Sequence, residues 1–484
     1  MTKFKHEKTN DIIKWFGEIS KIPRCSKNEG AICAWLTNWA KEHHFVVKTD
    51  RVQNVLIKVP GTSGYEKSPV VVIQGHMDMV CEKTPDSTHD FSKDAIKFVY
   101  EGEWLTADRT TLGADNGIAL AMAMTMAESK EIAHPPLELL FTVDEETGLT
   151  GATALEPGFL EGKILINVDS EDEGYFTVGC AGGVNTNLSI PVVPAAPPAN
   201  YSLLKINASG MKGGHSGIDI NKEKANALKV LAIALIAIKK KMDIRIAQFS
   251  GGTAHNAIPR DAEAHIFVPK TEMETVKNIL AETETTLKQE FKNVDPNIAL
   301  NATENAGAFT DATTAESTAQ ILDFITVIPH GVAAMSTDIQ GLVETSNNMA
   351  RVIIEENKVK VLTSQRSSVV SRLRSHTNRI EAVARLAGGE ALSSGGYPPW
   401  QPNMESPLLA KSLAIYEKLF NKKPHVEVIH AGLECGIIGD KNVGMDMISI
   451  GPTLRFPHSP DEKIHIASIG QVWDFIVELL KNLK

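Results

Sequence analysis

Apolar residues recur along the chain in two rhythms, and the alternation between them outlines the fold. Residues 9–19 place Trp15, Phe16 and Ile19 at helical spacing, and residues 28–42 do the same with Ile32, Trp35, Leu36 and Trp39. Both predict helices with one buried face. Strands are predicted at 45–49 and 54–59. Residues 68–73 then form a short apolar run rich in valine, the mark of a strand buried on both faces, as in a parallel sheet. Similar runs follow at 137–143 and 163–168, with a helix predicted over 118–129. Strands alternating with helices imply a mixed or parallel α/β layer.

The pattern changes near residue 185. A proline-rich stretch at 191–199 reads as a stiff connection. Beyond it, strands are predicted at 202–208, 261–268 and 358–363, and helices at 222–241, 272–291 and 367–386. Asn256 and Asn348 each precede a strand and then a helix, which suggests an internal duplication. Residues 393–399, rich in serine, glycine and proline, punctuate the chain again. A helix at 405–419, strands at 426–430 and 446–450, and a helix at 469–483 follow. The expected architecture is one α/β domain, residues 1–183 and 399–484, interrupted by an inserted α+β lid domain, residues 184–398.

Composition narrows the function. A length of 484 residues exceeds one ordinary core. The apolar fraction of 43% and charged fraction of 22% are those of a soluble globular protein. The net charge of −10, with basic residues dispersed, argues against nucleic-acid binding. The first residues lack the layout of a signal peptide. The apolar stretch 227–238 is too short to span a bilayer. Five scattered cysteines, Cys25, Cys33, Cys81, Cys180 and Cys435, read as reduced thiols in a cytoplasm, with packing roles for Cys180 and Cys435.

The candidate chemistry lies where apolar runs end. His76, Asp115, Glu146, Asp169 and His458 sit at or just after strand ends, where open α/β sheets bind ligands. Two divalent metals can be held by two terminal residues each and one shared carboxylate. Asp115, in the glycine-flanked turn 113–117, is the natural bridge. Histidine and carboxylate donors without thiolate suit two zinc ions, with manganese or cobalt as substitutes. Glu145 and Glu146 are adjacent acids, so one can ligate while the other stays free as a general base. Asp78, two residues past His76, shares its side in an extended segment and could fix the imidazole.

Gln74-Gly75-His76-Met77-Asp78-Met79-Val80, Thr111-Leu112-Gly113-Ala114-Asp115-Asn116-Gly117, Asp144-Glu145-Glu146-Thr147-Gly148 and Asn167-Val168-Asp169-Ser170-Glu171 resemble the di-zinc metallopeptidases that include carboxypeptidase G2-like enzymes. Lys212-Gly213-Gly214-His215-Ser216-Gly217, Asn256-Ala257-Ile258-Pro259-Arg260, His430-Ala431-Gly432-Leu433-Glu434-Cys435-Gly436 and Gly451-Pro452-Thr453 with Pro457-His458-Ser459-Pro460 resemble the aminoacyl-histidine dipeptidase branch. The resemblance implies a di-zinc exopeptidase-like catalytic domain. It implies His76, Asp169 and bridging Asp115 on one metal, and Glu146, His458 and Asp115 on the other. Asp78 would orient His76, and Glu145 would be the base that activates a metal-bound hydroxide. Two departures stand out: Asn221-Lys222-Glu223-Lys224, where a more arginine-rich helix start is usual, and Arg455-Phe456 before Pro457, where a smaller pair is usual.

The insert supplies the remaining candidates. By the resemblance, His215 in its glycine-rich loop would donate to the carbonyl oxygen as the tetrahedral intermediate forms. Arg260 could bind a substrate carboxylate bidentately, Asn256 could bond the peptide, and Arg366 is a second carboxylate candidate. Glu434 has two readings, recognition of a free α-amino group or partner to a metal-binding histidine. An insert carrying such groups implies closure, with hinges expected near 184–200 and 393–400. The resemblance implies a cytoplasmic dipeptidase preferring Xaa-His substrates such as β-alanyl-histidine, with a homodimer as the assembly of the branch. Another amide hydrolase of the same clan, a deacylase or carboxypeptidase, is the alternative, and a non-catalytic metal-binding protein is the rival from another class. The chain has no basic phosphate cradle for a phosphatase.

Overall fold

The computed structural model describes residues 4–304, 309–337 and 339–484. The chain divides into two units, the first formed by Met1–Cys180, Pro402–Val428 and Leu433–Lys484, the second by Ala181–Gln401 and Ile429–Gly432. The return of 429–432 to the second unit is a detail that the division at 183/184 and 398/399 did not contain.

The first unit is built on β1 (Val46–Thr49), β2 (Val55–Val59), β3 (Val71–His76), β4 (Leu137–Thr142), β5 (Ile164–Asn167) and β6 (Tyr175–Cys180). The second unit adds β7 (Gly182–Pro191), β8 (Tyr201–Ser209), β9 (Arg245–Gly251), β10 (Ala262–Pro269), β11 (Ala299–Glu304), β12 (Gly331–Met335), β13 (Val343–Glu355), β14 (Lys358–Ser367) and β15 (Glu390–Tyr397). The chain then forms β16 (His425–Ile429) and β17 (Asp446–Ser449). The first sheet has the order β1-β2-β4-β3-β5-β17-β6-β16. Its centre, β4-β3-β5-β17, is parallel. Every residue of β3 and β4 is buried, as the unbroken apolar runs require. Their C-terminal ends put His76 and the turn beyond Thr142 side by side. The helix Ala114–Glu128 is apolar nearly all round and buried nearly throughout, the signature of a helix inside a core. In a smaller sheet Lys463–His465 pairs with Leu454–Arg455 on one side and with Trp104–Ala107 on the other; the connection between the first two, residues 456–462, carries His458.

The second unit's sheet runs β11-β8-β10-β9-β13-β14-β7-β15, with β12 added against β13. Read in chain order, β8, helix Ala227–Lys239, β9, β10, helix Met273–Glu290 and β11 form one βαββαβ set. β7, helix Ala315–Val327, β13, β14, helix Val370–Leu386 and β15 form another. The two sets occupy mirrored positions in the strand order and join through β9 and β13. The duplication therefore exists in the topology. The asparagines used to find it are not equivalent: Asn256 lies between β9 and β10, whereas Asn348 lies inside β13, opposite Ser364.

Several elements lacked a local signal. Residues 393–399 read as a break but belong mostly to β15, paired with β7 through Ser393↔Thr186 and Tyr397↔Gly183. No signal in the sequence marked strand β13, helix Ala315–Val327 or the helix that Glu434 opens, Glu434–Lys441. The cysteine expectation is also corrected. Cys25 and Cys81 form a disulfide with Cα atoms 5.7 Å apart, while Cys33, Cys180 and Cys435 are buried and stand outside it.

Candidate metal and active site

The expected ligands converge in the first unit. His76 Nε2 lies 3.1 Å from Asp115 Oδ1 and 3.5 Å from Asp169 Oδ1. His458 Nε2 lies 3.2 Å from Asp115 Oδ2 and 3.0 Å from Glu146 Oε2. Two donor groups result, His76/Asp115/Asp169 and Asp115/Glu146/His458, each with ligand-type atoms within 4.8 Å of one another. Asp115 belongs to both and presents one oxygen to each.

The backbone explains the convergence. His76 is the last residue of β3, and Asp169 follows β5, its parallel neighbour. Asp115 and Asn116 depart from helical φ/ψ at the start of their helix, and the peptide between them is cis. Asn116 joins the segments: its Oδ1 accepts from His76 N at 3.2 Å and its Nδ2 donates to Val168 O at 2.6 Å. Asp78 is fully buried. Its Oδ1 sits 3.2 Å from His76 Nδ1 and accepts from Glu145 N at 3.1 Å, while Oδ2 accepts from Ser26 Oγ at 2.7 Å. One carboxylate thus sets the imidazole, with Nε2 toward Asp115 and Asp169, and anchors the Glu145–Glu146 turn.

Charge balance in this set favours cations. Burial by itself would lower the His76 pKa, yet Asp169, Asp115 and Asp78 raise it well above the ordinary value. Hydrogen bonds to Asp115 and Glu146 push His458 up to about 11. Burial raises Asp169 to about 6 and lifts Glu145 well above the usual carboxylate range. Glu146 Oε1 is buried with no hydrogen-bond partner among the described residues. Acids that draw protons onto both imidazoles, an orphaned carboxylate oxygen and a hard or borderline donor set all fit divalent metal ions.

Glu434 is buried at the same end of the sheet. Its Oε2 accepts from Gln74 Nε2 at 2.6 Å and from Thr142 Oγ1 at 2.7 Å, and Oε1 has no hydrogen-bond partner among the described residues. Burial raises its pKa to about 7. Arg455 reaches the segment after Asp169, with Nη2 2.6 Å from Asp172 Oδ1, and Phe456 is exposed.

The other candidates lie in the second unit. Gly214 and His215 pair with Ile258 and Ala257, and Ser216 N donates to Asn256 O at 2.7 Å, so the His215 and Asn256 loops are joined. His215 Nδ1 accepts from Gly217 N at 3.2 Å, which leaves the proton to Nε2. Burial and the nearby Arg366 charge lower the His215 pKa. Asp219 holds the His215 amide and is itself held by Lys222 and Lys224, which gives the lysine-rich departure a local role. Arg366 is 6% exposed, donates to Tyr397 Oη at 3.1 Å, and its charge acts on His255 and His430 as well as His215. Arg260 points elsewhere, with its side chain 74% exposed and Nε 3.4 Å from Asp261.

Sequence reasoning missed Ser26, Gln74, Asn116, Arg24 and Glu462. Gln74 and Asn116 occur within the recognised motifs and could have been read as partners of the ligands, whereas Ser26 lies outside every motif. Arg24 and Glu462 are far from Asp115 along the chain, and no spacing marks them.

Comparison with known proteins places the chain in a family. A family profile described as a peptidase dimerisation domain, of the M20 peptidases, matches residues 206–295. The cytosol non-specific dipeptidase of Escherichia coli (strain K12) is 40% identical over 470 residues, 97% of this chain and 96% of that protein. The structure of aminoacylhistidine dipeptidase from Vibrio alginolyticus superposes with a TM-score of 0.90 at 40% identity, over 98% of this chain and 96% of that one. The aminopeptidase PepT structure from Bacillus cereus, with a TM-score of 0.56 at 17% identity and 98% of each chain covered, shares the fold. The chain therefore belongs to the M20 metallopeptidases, in the branch of the cytosol non-specific and aminoacylhistidine dipeptidases.

Proposed function

We propose that this chain is a metal-dependent dipeptidase that hydrolyses dipeptides with a free N-terminus, preferring Xaa-His compounds such as β-alanyl-histidine. The observation that carries the reading is the pair of donor groups sharing Asp115, with Glu145 beside them. Likeness to a dipeptidase and an aminoacylhistidine dipeptidase over nearly the whole chain supports the substrate class. His76, Asp169 and Asp115 would hold one zinc ion, and Glu146, His458 and Asp115 the other, with manganese or cobalt as substitutes. Bound there, the ions would polarise the peptide carbonyl and make water more acidic.

The chain's own residues supply the rest. Glu145 takes a proton from the attacking water and passes it to the leaving amine; its buried environment makes its carboxyl more basic than usual. Asp78 fixes the His76 ring. His215, with its proton on Nε2, donates to the carbonyl oxygen as negative charge develops. Arg366 takes the C-terminal carboxylate; its burial, and an Nε without a hydrogen-bond partner among the described residues, favour it over solvent-facing Arg260. Asn256 bonds the peptide from the joined loop. Glu434 reads the α-amino group through Oε1, since its other oxygen is occupied by Gln74 and Thr142. A cytoplasmic location and a homodimer complete the reading, supported by the description of the bacterial relative and the dimerisation-domain match. No helix of the described residues is long and apolar enough to cross a membrane.

The test is hydrolysis of β-Ala-His, Gly-His, Leu-Gly, a tripeptide and an N-acetyl amino acid by chelated and zinc-reconstituted protein, with Glu145→Ala alongside. Only the dipeptides should be cut, and only with metal. Glu145→Ala should retain its metal and lose about 10²- to 10⁴-fold in turnover. Cleavage of the acetylated compound alone would reassign the chain to the deacylases; zinc binding without any cleavage would favour a binding protein.

A further inference from the structure

Arg24 and Glu462 are buried charged residues that the proposed chemistry does not use, each about 2% exposed. Arg24 Nη1 donates to Met77 O at 3.0 Å and Asp78 O at 2.8 Å, and Nη2 donates to Gly113 O. One guanidinium thereby ties the turn after His76 to the turn before Asp115. Glu462 lies in the 456–462 connection with His458. Its Oε2 accepts from Leu112 N at 2.7 Å and Gly113 N at 2.9 Å; its Oε1 accepts from Ala114 N at 2.8 Å and Asp115 N at 3.2 Å. One carboxylate thus ties the Asp115 turn to the segment carrying His458.

The surroundings are shaped around this pair. Gly113 has φ +69°, and a Cβ there would come within 2.5 Å of Arg24 Nη2; a Cβ on Gly117 would come within 2.7 Å of the same atom. Glycine at both positions admits the guanidinium against the helix start. Arg24 lies in the field of Glu462, Asp78, Asp115 and Glu146, so a fixed cation stands behind the acidic set. Ser26, two residues on, holds Asp78.

We propose that Arg24 and Glu462 are positioning residues that hold Asp115 from two sides and set the spacing between the two donor groups. The inference rests on reading Asp115 as the shared ligand. A flat, forked guanidinium can hold carbonyls of two turns at once, whereas a lysine ammonium lacks that fixed fork. A carboxylate can accept all four amides, whereas a glutamine amide offers one acceptor oxygen in place of two. Arg24→Lys and Glu462→Gln should therefore loosen the bridge without leaving a large void.

The experiment titrates chelated full-length protein, Arg24→Lys and Glu462→Gln with cobalt(II), followed by calorimetry and the visible absorption of the bound ion. Circular dichroism reports folding, and zinc-loaded samples give kcat and KM on Gly-His. Wild type should take two equivalents. Both variants should remain folded, bind the first equivalent, and lose about 10- to 100-fold in affinity for the second. Their cobalt bands should change, and kcat should fall at least about tenfold while KM stays within about twofold of wild type. Two equivalents bound at wild-type affinity with unchanged bands would overturn the proposal. Loss of the fold in both conservative variants would overturn it too, making the pair structural only. Wild type binding fewer than two ions would instead sink the dinuclear reading itself.

Discussion

At the residue scale, the second unit holds a histidine whose protonation state affects stability. His430 is buried, with Nε2 2.7 Å from Ser346 Oγ. Burial first, and the Arg366 charge second, lower its pKa to about 3. The folded chain keeps it neutral, while the unfolded chain protonates it below about 6.5. Its contribution is full above pH 6.5 and is lost as pH falls toward 3, at about 1.4 kcal/mol per pH unit. Between pH 7 and 5 the loss is about 2 kcal/mol. Urea unfolding at both pH values should show a smaller acid dependence for His430→Gln than for wild type by that amount. Equal dependence would mean that the imidazole is already protonated in the fold.

At the scale of elements, the two halves of the second sheet meet over a short register, Ser250↔Ile353 and Gly251↔Val352. Gly252 follows at φ +75°, and a Cβ there would lie 1.9 Å from Ala350 O. Gly388, after the helix Val370–Leu386, also has a positive φ of +74° but open space around its Cβ position. The pair separates two costs. Gly388→Ala should lose about 1 kcal/mol of stability, the conformational cost alone. Gly252→Ala adds a backbone clash at the junction and should lose about 3 kcal/mol or more. Thermal unfolding of the two variants measures the difference, and equal losses would show that the junction yields without cost. The β3, β4 and β5 strands were legible because a strand buried on both faces needs an apolar run. β15 was not, because its serine and glycine residues take their structure from pairing with β7 rather than from local preference.

At the scale of the molecule, the first unit gathers Asp78, Asp115, Glu145, Glu146, Asp169, Glu434 and Glu462 near Arg24, His76 and His458. Folding brings these acids together against their mutual repulsion, so cations bound only by the folded chain should stabilise it by mass action. At free zinc a hundredfold above Kd the gain is about 2.7 kcal/mol per site. Calorimetry should show the first unit's unfolding shifting down with chelator and recovering with zinc, while the second unit's transition stays in place. An unmoved first transition would contradict the metal reading.

The amino-acid sequence alone determined the chemistry available at the strand ends and the alternation that makes the α/β layer. A ligand's identity and its place after an apolar run are local facts. The same holds for the glycine-rich loops around Asp115 and His215. Only the tertiary structure decided which distant groups meet. It joined Cys25 to Cys81, laid Glu462 across the amides before Asp115, put Arg24 between two turns, returned 429–432 to the second unit, and buried Arg366 while leaving Arg260 exposed. Burial, charge and hydrogen bonding at those points depend on contacts between segments far apart in the chain, and no periodicity or motif in either segment encodes the distance between them.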